Sequence, residues 1–228
     1  MNKTVLTVLM LALASASGLR ATKELESPSS WKELGTKWGA EPDSQGVVHD
    51  DRTKQIRLKK FADSKTFYGT VEFEKTSFCK NLTCYGSARL TGSEVQGVTT
   101  MYGTLSAFGS TFKDMDVRAA EKNENQDTTL VLDTCQVTHL FLEGRLETSK
   151  SKLSSLKIVG NDVVCIDSTI SDNIVIMASP SKSKRVVIEL TNSVVEGSIT
   201  FSQKGGIVIC NGNSEVKGGV FGGTIEIR

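Results

Sequence analysis

One pattern recurs eight times between Thr76 and Val216: a small residue, an apolar residue two positions later, and then apolar residues in alternation. The small residues form one column of the repeat: Thr76, Ser93, Ser110, Cys135, Ser151, Ser168, Ser193 and Ser214. The apolar residues form the next column: Phe78, Val95, Phe112, Val137, Leu153, Ile170, Val195 and Val216. Units this short bury their apolar faces only by stacking on one another, so the repeat predicts a solenoid.

The alternation inside each unit is the period of a β-strand, whose side chains point to opposite faces. Successive members of the apolar column are 17, 17, 25, 16, 17, 25 and 21 residues apart, and the two longest intervals hold polar insertions at 121–127 and 179–184. By hydrophobicity, the inward positions are Leu82 and Cys84 in one coil and Val98 and Thr100 in the next. We predict an all-β, single-stranded parallel β-helix or solenoid of about eight coils of about 17 residues.

The N-terminal segment, residues 1–16, has the three parts of a signal peptide. Lys3 supplies the positive charge, residues 5–14 are apolar, and Ala14-Ser15-Ala16 is a small-residue cleavage site. The pattern predicts an exported protein, located in the periplasm, at the cell surface or outside the cell. No later segment approaches about 18 uninterrupted apolar residues, so we predict no transmembrane span after signal removal.

Residues 17–55 form a polar segment that contains one short amphipathic helix, predicted over 31–38. Ser30 and Glu33 form a capping box at its start. Its apolar face carries Trp31, Leu34 and Trp38. This helix is expected either to cap the N-terminal end of the solenoid, which terminal repeats require, or to contact a partner or a membrane. The solenoid domain is then predicted over 56–228.

Charge and cysteine content exclude several functions. The 27 Lys and Arg residues balance 26 Asp and Glu residues, so no basic surface for nucleic acid is indicated. The five cysteines fall in different columns or two coils apart, about 9.6 Å by strand spacing, which predicts free thiols and no disulfide framework. There is no Cys-x-x-Cys motif, and the two histidines, His49 and His139, are far apart, so we predict no metal site and no cofactor.

No catalytic constellation is recognisable in the sequence. The serine column is expected to bond to the backbone at a corner, and eight equivalent residues supply no activating base. His139 has no partner that the sequence specifies, with Asp133 one strand earlier. The remaining candidate carboxylates are scattered over turns: Asp114, Asp116, Asp167 and Asp172. We predict that the protein is not an enzyme.

The surface feature that stands out is the set of tyrosines. Tyr68, Tyr85 and Tyr102 are the only three in the chain, are spaced by 17 and 17 residues, and each precedes a glycine. They are expected to stack on adjacent coils as an outward strip. Such a strip either binds a sugar chain or a protein partner or stabilises consecutive rungs.

The C-terminal segment from Gly218 to Arg228 continues the strand pattern with no capping helix after it. An open last coil leaves unpaired strand edges, which proteins cover or use for pairing. We therefore expect self-association through this coil.

The eight coils, about residues 65–228, resemble short-coil parallel β-solenoids of the bactofilin type. The segments that carry the resemblance are Leu82-Thr83-Cys84-Tyr85-Gly86 and Leu156-Lys157-Ile158-Val159-Gly160. The resemblance implies rods that polymerise through their ends, although that family is chiefly cytoskeletal and lacks a signal segment and eight-residue insertions. We predict a non-catalytic structural or interaction protein, similar to a scaffold or adhesin, at the cell envelope or outside. The alternative is a carbohydrate-binding or carbohydrate-active β-helix that uses the tyrosine strip, and the expected partners are a glycan or an envelope protein.

Overall fold

The computed structural model shows a parallel β-solenoid of about nine turns and describes residues 54–119, 128–178 and 185–228. The fold class predicted from the repeat is therefore confirmed, with one turn more than the eight counted in the sequence. The signal peptide, the helix over 31–38 with Trp31, Leu34 and Trp38, and both polar insertions lie outside the described residues.

Nineteen strands make up the described part of the solenoid. Their bounds are β1 Lys54–Arg57, β2 Lys60–Phe61, β3 Lys65–Glu74, β4 Ser77–Phe78, β5 Leu82–Thr91, β6 Glu94–Phe108, β7 Thr111–Arg118, β8 Thr129–Asp133, β9 Gln136–Ser149, β10 Lys152–Ile166, β11 Thr169–Ile170, β12 Ile174–Met177, β13 Val187–Thr191, β14 Val194–Val195, β15 Ile199–Phe201, β16 Gly206–Asn211, β17 Glu215–Val216, β18 Val220–Phe221 and β19 Gly223–Ile227.

Each strand pairs in parallel with the equivalent strand of the neighbouring turn. The longest registers join β3 to β5, from Lys65↔Leu82 to Glu74↔Thr91, and β5 to β6, from Leu82↔Thr99 to Thr91↔Phe108. Because parallel rungs place equivalent residues side by side, every column of the repeat becomes a file of side chains along the rod. The rod therefore presents long faces to solvent on which residues at equivalent positions of successive turns lie side by side.

The apolar columns line one continuous core. All members of the column that begins at Phe78 are buried except Val216, which lies in the last coil and packs partly exposed against the core. In the first turns the core is rich in phenylalanine: the rings of Phe61 and Phe78 stack with centroids 5.0 Å apart, and Phe73 meets Phe78 edge-on at 5.1 Å. Stacked and edge-to-face pairs of this kind stabilise neighbouring rungs beyond simple burial.

One predicted pair of inward residues is wrong by one position. Thr99 and Met101, not Val98 and Thr100, face the core beside Leu82 and Cys84, and Val98 is 38% exposed. The backbone N–H of Val98 donates to Asn81 Oδ1 at 3.0 Å, and Gly97 sits so close to the preceding turn that a Cβ there would lie 2.6 Å from the Lys80 carbonyl carbon. Backbone register with the preceding turn thus overrides hydrophobicity.

No membrane-spanning helix occurs among residues 54–119, 128–178 and 185–228, because no helix there has the length and apolar character that a crossing requires.

Candidate functional site

The three tyrosines lie in one file on the outer face of the rod. The register pairs Tyr68 with Tyr85 and Tyr85 with Tyr102. Ring centroids are 5.1 Å apart with an interplanar angle of 9° in the first pair, and 4.8 Å apart at 5° in the second. The rings therefore cover one another's faces, and the strip turns ring edges outward. This geometry gives cross-rung stacking, and a ligand role for the strip stays a prediction.

Partial burial makes these phenols weaker acids. Burial raises the pKa of Tyr68, and burial together with the neighbouring phenols Tyr102 and Tyr68 raises the pKa of Tyr85 to about 12. The side chains of Tyr68 and Tyr85 are therefore neutral at physiological pH.

The strip ends after three rungs at a charged pair. Tyr102 pairs in register with Arg118, whose guanidinium donates to both carboxylate oxygens of Asp116 at 2.9 and 2.8 Å. The carboxylate raises the pKa of Arg118, and the guanidinium lies 5.5 Å from the ring centroid of Phe141. The aromatic strip is consequently confined to the N-terminal third of the rod.

The hydroxyl column forms a hydrogen-bonded ladder at one corner of the rod. The backbone N–H of Thr76 donates to Ser93 Oγ at 3.2 Å, and the N–H of Ser93 donates to Ser110 Oγ at 3.1 Å. Each hydroxyl in turn donates to a nearby carbonyl, as Ser93 Oγ does to Thr91 O at 3.1 Å. The same donation to the next rung occurs at Cys135 (to Ser151), Ser151 (to Ser168), Ser168 (to Ser193) and Ser193 (to Ser214).

Cys135 is the one ladder member that carries sulfur. Its Sγ lies 3.3 Å from the carbonyl oxygen of Asp133, the bond that the serines make with Oγ. Burial raises the pKa of the Cys135 thiol, while backbone N–H groups of Ser110 and Gly109 act in the opposite direction. The thiol is therefore a ladder element with little thiolate at neutral pH.

A left-handed corner precedes the ladder in most turns. The residue before the ladder position has φ of 49° at Lys75, 56° at Gly92, 55° at Thr134 and 48° at Asn192. Glycine and asparagine adopt this region at low cost, whereas a β-branched residue such as Thr134 is strained there.

His139 has a carboxylate partner that the sequence does not indicate. It lies on β9, and its Nδ1 is 2.8 Å from Oδ1 of Asp114 on β7, 25 residues earlier. Asp133, its neighbour along the chain, instead accepts hydrogen bonds from the hydroxyls of Thr134 and Ser149. The insertion between β7 and β8 hides this pair, because the separation differs from the 17-residue spacing of other rungs. Among the described residues, no group of three or more His, Cys, Asp or Glu side chains is arranged to hold a metal ion.

All five cysteines lie in the described part and are free thiols. Cys84, Cys135, Cys165 and Cys210 are buried, and Cys79 is half-buried. Burial raises the pKa of Cys84 and Cys210, and raises that of Cys165 to about 12. These three thiols act as small apolar core residues and are poor nucleophiles.

Comparison of the chain with protein-family models, with curated proteins and with solved structures finds no match.

Proposed function

We propose that the protein is an exported structural or interaction rod of the bactofilin type that associates with a second copy through its last coil. The observation that supports this is the exposure to solvent of inward-column residues in the last described coil. Ile225 pairs with Val208 and Ile227 pairs with Cys210, yet Ile225 is 46% and Ile227 85% exposed, against 0% and 5% for their partners. Apolar residues of a core column are thus left in contact with water.

The last coil also presents unpaired backbone. Within the described residues β19 pairs with β16 on one side only, and the neighbouring Phe221 of β18 is 57% exposed. A strand edge with exposed apolar side chains is a template for pairing with another chain, and association would continue the hydrogen-bonded rungs of the rod.

The first described coil is protected differently. The ammonium groups of Lys59 and Lys65 lie 5.0 and 5.7 Å from the ring centroid of Phe61, and that of Lys54 lies 4.7 Å from Phe67. Lysine is one of the residues with which proteins blunt a sheet edge. We therefore expect the last coil to contact the last coil of a second copy, which gives a closed dimer with two-fold symmetry instead of an open filament.

Sedimentation velocity over a range of concentrations tests this association. The wild type is expected to shift from monomer to dimer, and Ile227→Glu is expected to remain monomeric because a charge replaces an apolar contact. Ile166→Glu is the matched control, since Ile166 is also exposed, at 42%, but lies on the side of the rod. A wild type that stays monomeric, or two variants that behave alike, would contradict the proposal.

Export is the second part of the proposal and is supported by the three parts of the signal segment in residues 1–16. A C-terminally tagged copy is expected in the periplasmic, surface or secreted fraction, with a mature N-terminus after residue 16. Recovery in the cytosolic fraction with Met1 retained would count against export.

The second candidate function is carbohydrate binding. The observation that favours it is the file of three parallel tyrosines along one face, next to the register-paired threonines Thr66, Thr83 and Thr100. A glycan-binding screen of the wild type against Tyr85→Ala tests it, and absence of binding by both proteins would remove this candidate.

A further inference from the structure

A shallow groove lies on the outer face of the sheet that the chain forms directly after the tyrosine strip. It runs across β3, β5 and β6, and its larger depression has a volume of about 270 Å³. A second depression of about 150 Å³ adjoins it, and the two share Glu72 and Arg89. This size suits one or two small polar units and falls below the roughly 300–1,000 Å³ of sites for drug-sized molecules.

Two opposite charges line the groove without forming an ion pair. Glu72 and Arg89 are register partners on adjacent rungs, but no salt bridge joins these two described residues. The carboxylate of Glu72 accepts a hydrogen bond from Gln55 Nε2 at 3.1 Å, and the guanidinium of Arg89 lies 4.9 Å from the ring centroid of Phe108. A carboxylate acceptor and a guanidinium donor therefore face the same groove with hydrogen-bonding capacity left over.

Hydroxyl groups complete the lining. Thr104 Oγ1 donates to Ser87 Oγ at 3.0 Å, and Ser106 is the register partner of Arg89 on the following rung. The lining of the larger depression thus offers donors and acceptors side by side, with one negative and one positive charge. The second depression adds Arg57 and Glu74, which form an ion pair at 2.9 Å. Adjacent hydroxyls of a sugar complement the larger depression, because one hydroxyl donates to the Glu72 carboxylate while its neighbour accepts from the Arg89 guanidinium. An anionic polymer is disfavoured by Glu72, and a cationic one by Arg89.

We propose that this groove binds a neutral oligosaccharide, with Glu72 and Arg89 as the groups that recognise adjacent sugar hydroxyls. The proposal rests on the carbohydrate-binding candidate and places the sugar site around the corner from the tyrosines: Ser87 follows Tyr85 by two residues, across Gly86. The tyrosine strip then lies beside the site as an extension for a longer chain.

The test is isothermal titration calorimetry of the full chain with soluble cello-, malto-, manno- and chito-oligosaccharides. Glu72→Gln keeps side-chain size, Arg89→Gln shortens the side chain, and each removes one charge. Both are expected to weaken binding about tenfold through loss of a charge-assisted hydrogen bond. Glu189→Gln is the matched control for Glu72, since Glu189 occupies the same outward column and also accepts from a neighbouring amide, Asn211 Nδ2 at 3.2 Å. Arg145→Gln is the control for Arg89, and circular dichroism verifies folding of all variants.

The outcomes separate the site from the function. Binding by the wild type and both controls, weakened in both groove variants, supports the proposal. Binding that is equal in Glu72→Gln and Glu189→Gln overturns the groove but leaves carbohydrate binding in place, and a loss confined to Tyr85→Ala then assigns it to the strip. No binding of any of the four oligosaccharides overturns both.

Discussion

The glycine corner next to the tyrosine strip provides a quantitative test of rung stacking. Gly69, Gly86 and Gly103 form one column with φ of 82°, 124° and 137°, which L-residues rarely adopt. A Cβ on Gly103 would overlap the carbonyl oxygen of Gly86 and lie 3.0 Å from its carbonyl carbon, whereas a Cβ on Gly69 meets no described atom within 4 Å. Both Gly69→Ala and Gly103→Ala therefore introduce backbone strain, and only Gly103→Ala also introduces a clash.

The backbone strain costs about 1–2 kcal/mol at either position. In Gly103→Ala the overlap is relieved only if β5 and β6 move apart, which breaks at least two rung hydrogen bonds worth about 1 kcal/mol each. We therefore expect Gly69→Ala to lower the free energy of unfolding by about 1–2 kcal/mol and Gly103→Ala to lower it by about 3–4 kcal/mol.

Urea unfolding followed by far-ultraviolet circular dichroism measures both losses, and amide hydrogen exchange locates them. In Gly103→Ala, faster exchange is expected in β5 and β6 and slow exchange is retained in β13 and β16, because each repeat contacts only its neighbours. Equal destabilisation by the two substitutions would refute the reasoning, since it would mean that rung contact at this corner contributes nothing.

Three further substitutions or titrations follow from particular residues. Thr99→Val is expected to raise the free energy of unfolding by about 1 kcal/mol in urea titrations, because Thr99 Oγ1 is buried with no hydrogen-bond partner among the described residues. Thr134→Asn is expected to raise the melting temperature, with a gain of about 1 kcal/mol, since Asn192 already occupies the equivalent left-handed corner. Above pH 10, stability is expected to fall until about pH 12, because the folded state holds the Tyr85 proton more tightly than the unfolded state does; absorbance titration at alkaline pH, with Tyr85→Phe as control, checks this.

The inward half of the repeat was predictable because stacking dictates it. Every turn must place an apolar residue over the one below, so the columns from Phe78 and the hydroxyl ladder from Thr76 could be read from spacing alone. The exception at Val98 and Thr99 has a local cause. The corner at Gly97 has the same length as the corner of the preceding turn. The corner becomes one residue shorter in the next coil, at the register shift between β6 and β7.

The contacts between outward side chains depend on which residues lie side by side on neighbouring rungs, and the length of each coil determines that. Asp114 and His139 meet because an insertion separates their strands by 25 residues, so a search at the 17-residue spacing misses them. Glu72 and Arg89 are 17 residues apart and could have been paired from sequence, but pairing predicts an ion pair. The structure instead directs each side chain to another neighbour, Gln55 and Phe108, and leaves the groove between them polar.

This difference between inward and outward residues explains why the sequence predicts the fold but not the position of the site. Burial selects inward residues by a single criterion, the exclusion of water, and any sequence that satisfies it repeatedly predicts the rod. Outward residues meet no such common requirement, so a repeated outward residue, such as the tyrosine in three successive turns, is informative only after its geometry is known. Here the geometry turns the ring faces toward one another, so the tyrosines stack between rungs, and the proposed hydrogen-bonding surface lies at Glu72 and Arg89 on the adjacent face. We therefore expect a binding site on this rod to lie where outward side chains remain incompletely satisfied by their neighbours along the rungs.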